Sequence, residues 1–425
     1  MSTFAAGGAS AFVLRVLRAG LVLLLYLLAV RAAGVEEYGR YIFVYSWAVM
    51  LVTLASMGLD LAALRFIAAL SKAERWAELK GFARRVPLTV LASSTALSAL
   101  IGLLVFAFRS SLPPGLLAPA LTACALLPLM TLLQLFGFMI RGQKRALASL
   151  LPESVIRPLL FSSVLALALL YGTGGMSATR LIGWDVLATA CALLVAVAVF
   201  WRGYPVAGRH APSAPQLYSW LITGLPLALQ TTVRVTMTKT DVVMVGMLVS
   251  TTASGVYALA AQIAALVAFP LIAANTIAAP LFAELWASGD KKELQRLATF
   301  AARSVTAGAV GIAAVAILIT PWIQQLFGSA FTAAYWPVVI LALSQLVNAA
   351  TGSVGYLLAM SGQERAAARV TVLAGVLNLL LNAVLIPLFG LEGAAVATLT
   401  SGLVWNLLLV RHARATLGIR PTILG

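Results

Sequence analysis

The chain has 425 residues, of which 62% are hydrophobic and only 10% are charged, and its mean hydropathy is +1.00. This composition excludes a soluble globular protein and predicts an all-α protein that crosses a membrane many times. The formal net charge of +16 does not indicate nucleic-acid binding, because the basic residues are spread over many short loops rather than gathered on one face.

Apolar runs long enough to cross the roughly 30 Å hydrocarbon core occur at about twelve places. They lie at residues 4–30, 41–67, 86–108, 116–140, 153–171, 180–201, 217–249, 255–282, 300–326, 333–360, 366–388 and 391–410. The first run lacks the small-residue cleavage site of a signal peptide, so we expect it to be a retained helix.

The basic residues of the loops predict the orientation of the chain. Alternate loops and the C-terminus hold most of them: Lys72, Arg75, Lys80, Arg84, Arg85, Arg141, Lys144, Arg145, Arg202, Arg209, Lys291, Lys292, Arg296, Arg365, Arg369, Arg411, Arg414 and Arg420. The opposite loops hold little beyond Arg31, Arg40, Arg109 and Arg180. Because basic loops remain on the cytoplasmic side, both termini are predicted to be cytoplasmic.

The second half of the chain repeats motifs of the first half. Gly39 and Tyr41 recur as Gly255 and Tyr257, 216 residues later. Two further motifs recur at similar spacings: Glu78-Leu79 as Glu293-Leu294, and Gly142-Gln143 with Arg145 as Gly362-Gln363 with Arg365. We therefore predict two six-helix lobes, residues 1–202 and 217–425, joined by a cytoplasmic linker at 203–216. Because six is an even number, a pseudo-twofold axis along the membrane normal should relate the lobes, with the substrate site between them.

The most unusual charges lie inside the seventh predicted span, at residues 230–241. A charge near the centre of a membrane helix costs roughly 2.5–3.5 kcal/mol, so such residues indicate a functional site. On a helix, Gln230, Arg234, Thr238 and Asp241 fall within one stripe, which predicts the lining of a hydrated cavity, while Lys239 lies on a different face.

Short glycine-containing motifs recur along the whole chain. The first half contains residues 34–41 (GVEEYGRY), Gly58-Leu59-Asp60 and a basic first cytoplasmic loop. The second half contains Asp241 with Gly246, Gly255-Val256-Tyr257, Pro280, Gly289-Asp290, Leu326-Phe327-Gly328, and Leu358-Ala359 with Gly362. In these motifs the chain resembles the polysaccharide-biosynthesis flippases, which belong to a superfamily with the multidrug exporters and the lipid II flippases.

This resemblance implies a two-lobed bundle that works by alternating access without covalent chemistry, so we expect a transporter rather than an enzyme. The implied activity moves a polyprenyl-pyrophosphate-linked oligosaccharide across a bacterial cytoplasmic (inner) membrane during cell-surface polysaccharide biosynthesis. The expected partners are this lipid-linked substrate, membrane lipid and glycan-assembly proteins such as a polymerase. With two cysteines in apolar segments and only two histidines, no metal site or cofactor is expected.

The resemblance also implies cationic residues in the first helix of each lobe. Arg18 precedes Arg234 by 216 residues, and Arg15 lies three residues earlier on the same face. We predict that they bind substrate together with Lys239 and Gln230, because arginine binds phosphate oxygens in a bidentate manner. As alternatives, Arg234 pairs structurally with Asp241 or another acid, and Arg15, Arg18 and Lys239 extend to the membrane surface.

Four acidic residues also lie within predicted spans. Asp60 and Asp241 are predicted to be counter-ions or, alternatively, the protonatable groups of a coupled transporter. Glu153 is expected to pair with Arg157 at the i,i+4 spacing, and Asp185 is expected to lie at the membrane interface.

The sequence also allows two alternative functions, one in transport and one in glycan assembly. A cation-coupled multidrug exporter of the same superfamily is favoured if acidic residues, rather than Arg18 and Arg234, line the cleft. A membrane glycan polymerase or ligase needs catalytic groups on external loops, but these loops hold little acid beyond Glu36, Glu37 and Glu392.

Overall fold

The computed structural model describes the backbone of residues 2–172, 174–214 and 216–425. It describes their side chains as well, except at residues 2–12, 226, 227, 229–231, 233, 234, 237 and 276. Within these ranges every regular element is a helix, which confirms the predicted all-α class.

Fifteen α-helices follow one another along the described chain. They are α1 (Ser2–Ala55), α2 (Leu59–Lys72), α3 (Trp76–Ala107), α4 (Leu117–Gly142), α5 (Ala146–Leu151), α6 (Arg157–Leu170), α7 (Ala178–Arg202), α8 (Val206–His210), α9 (Leu217–Leu248), α10 (Thr251–Ala265), α11 (Phe269–Ala287), α12 (Lys291–Phe327), α13 (Tyr335–Ala350), α14 (Val354–Met360) and α15 (Glu364–Leu417). A π-helical turn, Pro152–Ile156, joins α5 to α6. Nine helical segments of the described residues are long and apolar enough to cross a membrane.

The two longest helices, α1 and α15, each contain a glycine whose backbone is not helical. Gly34 has φ 81° and ψ 169°, and Gly390 has φ 58° and ψ −130°. These conformations are readily reached only by glycine, so each residue interrupts its helix. Both breaks fall between two spans that hydropathy separates. The total of twelve spans and the symmetry of the lobes stay predictions.

The chain forms two compact units. The N-terminal unit comprises Ala9–Lys239, and the C-terminal unit comprises Thr240–Gly425 with the first residues of the chain. Their boundary falls inside α9, whereas the predicted linker, residues 203–216, belongs wholly to the N-terminal unit. Lys80 of α3 holds this linker, since its Nζ donates to the carbonyls of Arg209 and Ala211 at 2.7 Å each. The division into lobes at 202 and 217 stays a prediction.

Aromatic side chains fill the core of the N-terminal unit. The rings of Phe82 and Trp220 are 4.9 Å apart, and those of Phe136 and Phe200 are 5.7 Å apart, both edge to face. In the C-terminal unit, Phe282 packs with leucines of α12, α14 and α15 in a separate cluster. These cores fix the helices that carry the polar residues described below.

The start of α2 requires a glycine. Gly58 has φ 71°, and a Cβ at this position would lie 2.5 Å from the backbone N of Ala228 in α9 and closer still to the Gly224 carbonyl. Neither backbone group can rotate away, so Gly58→Ala should lower the thermal unfolding midpoint and the yield of folded protein in detergent. The positive φ alone costs about 1–3 kcal/mol.

Gly20 in α1 provides the matched control, because a Cβ there meets nothing within 4 Å. Gly20→Ala should leave the unfolding midpoint unchanged or raise it slightly, since alanine favours a helix over glycine by about 1 kcal/mol. A Gly58→Ala protein that unfolds at the wild-type temperature would contradict this packing.

Candidate functional site: a basic cluster and two buried carboxylates

Arg15 and Arg18 of α1 are both exposed in the structure. Arg18 forms an ion pair with Glu153 of the π-helical turn, at 3.6 Å between Nη2 and Oε1, and about half of each side chain is exposed. Because exposed charge on a membrane helix is expensive in lipid, these side chains belong in water or among headgroups.

Two further basic side chains, those of Lys239 and Arg141, interact electrostatically with Arg15, Arg18 or Glu153. Lys239 of α9 is partly buried and is repelled by the charge of Arg18. Arg141, at the end of α4, is repelled by Arg15 and attracted by Glu153. We call Arg15, Arg18, Arg141 and Lys239, with Glu153 among them, the basic cluster. The structure thus brings three predicted substrate-binding residues into one neighbourhood of the N-terminal unit.

The other two predicted substrate-binding residues, Arg234 and Gln230, lie outside the described side chains. The backbone of α9 is helical through this stretch, which is the condition for the predicted polar stripe. Thr238, a member of that stripe, is exposed and donates to the Val235 carbonyl at 2.7 Å. The roles of Arg234 and Gln230 stay predictions.

Asp60 is buried in the first turn of α2. Its carboxylate accepts hydrogen bonds from the backbone N of Leu61 at 2.9 Å, from Gln134 Nε2 at 2.5 Å and from Ser56 Oγ at 3.3 Å. A carboxylate at a helix N-terminus is also stabilised by the helix dipole. The described hydrogen bonds to the Asp60 carboxylate thus all come from neutral donors. Its role as a counter-ion or coupling residue stays a prediction.

Asp241 is buried in the C-terminal unit among neutral hydrogen-bond donors. It accepts from Asn382 Nδ2 at 2.7 Å, from the Tyr257 hydroxyl at 3.2 Å and from the Thr398 hydroxyl. Asn382 in turn donates to Asn378 at 3.0 Å, and Asn378 donates to Ser401 at 3.2 Å. No ion pair to Asp241 occurs among the side chains that the structure describes.

The N-terminal unit contains a different buried carboxylate, Asp185 of α7. Arg157 of α6 binds it in a bidentate manner, with Nε to Oδ1 at 2.9 Å and Nη2 to Oδ2 at 2.8 Å, and the Tyr41 hydroxyl donates to Oδ2 at 3.1 Å. Arg157 also lies over the ring of Tyr45, 5.2 Å from its centroid. The predicted Glu153–Arg157 pair is therefore wrong. Asp185, expected to be an interface residue, is 1% exposed and forms a buried ion pair.

The repeat-related tyrosines Tyr41 and Tyr257 reveal an asymmetry between the units. Each donates its hydroxyl to a buried carboxylate of its own unit, at 3.1 Å and 3.2 Å. The carboxylate that Tyr41 contacts is neutralised by an arginine, whereas the one that Tyr257 contacts receives only neutral donors from the described side chains. A buried carboxylate without a cation is costly, and hydrogen bonds from neutral donors offset part of that cost.

Sequence reasoning missed several members of these sites, including Arg141, Glu153, Asn378 and Asn382. Asn378 and Asn382 are spaced i,i+4 in the otherwise apolar stretch 372–389, and this pattern indicates a buried polar face. Glu153 carried no such sign, because its partner Arg18 is remote in sequence.

The comparisons with known proteins agree with this architecture. A family model described as "Polysaccharide biosynthesis protein" matches residues 4–286, more than half of the chain. The chain belongs to this family. The resemblance stated from the glycine and tyrosine motifs is thereby confirmed, and the chain is a multi-pass membrane protein of the polysaccharide-biosynthesis family.

One curated relative is the probable low-salt glycan biosynthesis flippase Agl15 of Haloferax volcanii. It is 30% identical over 165 residues, which are 38% of this chain and 34% of the relative. The match therefore spans about a third of that protein's length.

Solved transporter and flippase structures share the fold of this family member. An inward-facing multidrug resistance MATE transporter has a TM-score of 0.72 and 15% identity over 94% of each chain. The lipid II flippase MurJ, in an inward closed conformation, has a TM-score of 0.72 and 13% identity over 97% of this chain and 88% of its own. At these identities the similarity shows the fold alone.

Proposed function

We propose that this family member is a flippase that moves a polyprenyl-pyrophosphate-linked oligosaccharide from the inner to the outer leaflet of a bacterial cytoplasmic membrane. It works by alternating access, makes and breaks no covalent bonds, and serves cell-surface polysaccharide biosynthesis beside glycan-assembly proteins. Membership of the polysaccharide-biosynthesis family supports this proposal, as does the partial relationship to a protein named as a glycan biosynthesis flippase.

The basic cluster is the observation that carries the proposal. The substrate has a pyrophosphate anion at headgroup depth and a polar glycan that hydrocarbon excludes, so its carrier needs fixed cations in a wet space. Arg15, Arg18, Arg141 and Lys239 supply four cations against a single carboxylate, Glu153. Arginine remains charged at all physiological pH values and binds phosphate oxygens through two parallel hydrogen bonds. Arg234 and Gln230 of α9 join this set in the proposal.

Asp241 is proposed as the group that couples transport to an ion gradient or to the membrane potential. Its burial without a cation among the described side chains favours reversible uptake of a proton or a cation. Asp60 is proposed as a counter-ion within the N-terminal unit. An exporter of cationic drugs would bind its substrate with buried acids of this kind. The flippase instead needs the basic cluster to bind an anion, so the role of that cluster distinguishes the two functions.

Arg18→Ala is expected to reduce flipping in proteoliposomes by at least about tenfold, which corresponds to only ~1.4 kcal/mol of lost binding. The assay follows a fluorescent polyprenyl-pyrophosphate oligosaccharide between leaflets at equal protein incorporation. Arg296→Ala, which removes an exposed ion pair with Glu293, serves as the control and should retain wild-type rates. Normal flipping by Arg18→Ala, or efflux of cationic drugs by wild type without lipid movement, would reject the proposed function.

A further inference from the structure

Glu153 is the one carboxylate described within the basic cluster, and its position is set by an irregular segment. It lies in the π-helical turn Pro152–Ile156, where Pro152 and Ser154 are buried and Glu153 itself is exposed. Immediately afterwards, Arg157 is anchored to Asp185 in the interior. The wider turn sends Glu153 and Arg157 to different partners, although residues four apart share a face in a regular α-helix.

The contact between Glu153 and Arg18 has the properties of a displaceable pair. Its 3.6 Å separation is longer than a charge-assisted hydrogen bond, and roughly half of each side chain is exposed, at 46% and 50%. Exposed ion pairs of this kind contribute little net free energy, so a competing anion meets little resistance. Glu153 also attracts Arg141 electrostatically, so the same carboxylate acts on two arginines of the cluster.

We propose that Glu153 is an internal competitor for the anion site of the basic cluster. When no substrate is bound, its carboxylate occupies Arg18; a pyrophosphate, with its higher charge, displaces it, and the returning carboxylate promotes release. Glu153 thereby sets both the affinity and the preference for pyrophosphate over monophosphate. This inference rests on the proposed function and names the positioning residue that tunes its site.

The test measures equilibrium binding of a short-chain polyprenyl pyrophosphate to the full chain in nanodiscs, beside the monophosphate of the same chain length. Glu153→Gln is expected to bind the pyrophosphate about threefold to tenfold tighter than wild type, with a larger gain for the monophosphate, because the weaker anion no longer has to displace a carboxylate. In flipping assays the same variant should show a lower KM and a lower kcat, because release slows. Glu153→Ala is measured in parallel, so the result does not depend on the folding of one variant.

Two controls separate this role from a structural one. Glu153→Asp keeps the charge and should restore near wild-type affinity, and Glu293→Gln, which breaks the exposed pair with Arg296, should change nothing. If Glu153→Gln and Glu153→Ala lower the unfolding midpoint but leave pyrophosphate affinity unchanged, the pair is structural and the inference fails.

The same binding experiment distinguishes this failure from that of the proposed function. One outcome is saturable pyrophosphate binding by wild type that is abolished in Arg18→Ala and unaltered in Glu153→Gln. That result rejects the competitor role alone. A wild-type protein that binds no pyrophosphate rejects the flippase proposal, and the competitor role with it.

Discussion

Replacing Asp241 by asparagine is expected to remove the dependence of transport on an imposed ion gradient and to slow transport at least about tenfold, an effect of only ~1.4 kcal/mol. Asparagine has nearly the same shape, and its Oδ1 can still accept from Asn382 while its Nδ2 can donate to the hydroxyl oxygen of Tyr257, but it can neither take up a proton nor balance a cation. Proteoliposomes are loaded with substrate, and rates are compared with a proton gradient, with a sodium gradient and with neither. The gradient that accelerates wild type identifies the coupling ion.

Asp290→Asn is the control for this experiment. Asp290 is an exposed carboxylate of the same unit that caps α12 by accepting from the backbone N of Glu293 at 3.0 Å. Its replacement should lower stability by about 1 kcal/mol or less and leave gradient dependence intact. If Asp241→Asn responds to the gradient as wild type does, Asp241 is a structural residue and coupling lies elsewhere.

The all-helical, membrane-spanning class of this fold could be predicted from the sequence because hydropathy and glycine positions act locally. Apolar runs of 19 to 33 residues leave little choice but helices in a membrane, since every backbone group must be satisfied internally. Gly34 and Gly390, where α1 and α15 break, separate consecutive runs of the predicted pattern. Pairings between helices are different, because no local signal connects Arg157 to Asp185, 28 residues away.

The candidate site shows where local rules fail. The i,i+4 rule paired Glu153 with Arg157, but a π-helical turn ends just before Arg157, and each residue meets a partner from another helix. The internal repeat, in contrast, indicates interior polar contacts that hydropathy does not. Tyr41 and Tyr257 recur at one spacing, and each meets a buried carboxylate, although the two acids occupy different positions in the chain. Repeated polar residues in apolar helices therefore indicate interior partners even where the partners themselves do not repeat.

The second large effect is expected at the Arg157–Asp185 pair. Arg157→Leu leaves Asp185, 1% exposed, with a hydrogen bond from Tyr41 but without a cation. Removing one member of a buried ion pair typically destabilises a protein by about 3–5 kcal/mol, so the variant should fold poorly or unfold at a much lower temperature in detergent. Wild type and variant are compared by thermal unfolding and by the yield of monodisperse protein.

The double variant Arg157→Leu/Asp185→Leu tests why the single variant fails. If the loss arises from an uncompensated buried carboxylate, removing that carboxylate should recover most of the stability, because well-packed apolar replacements of buried pairs are often neutral. If the double variant is as unstable as the single one, the guanidinium acts through its packing over Tyr45 instead. A stable double variant that flips normally would further show that Asp185 is structural, which leaves Asp241 and Asp60 as the described buried acids available for coupling.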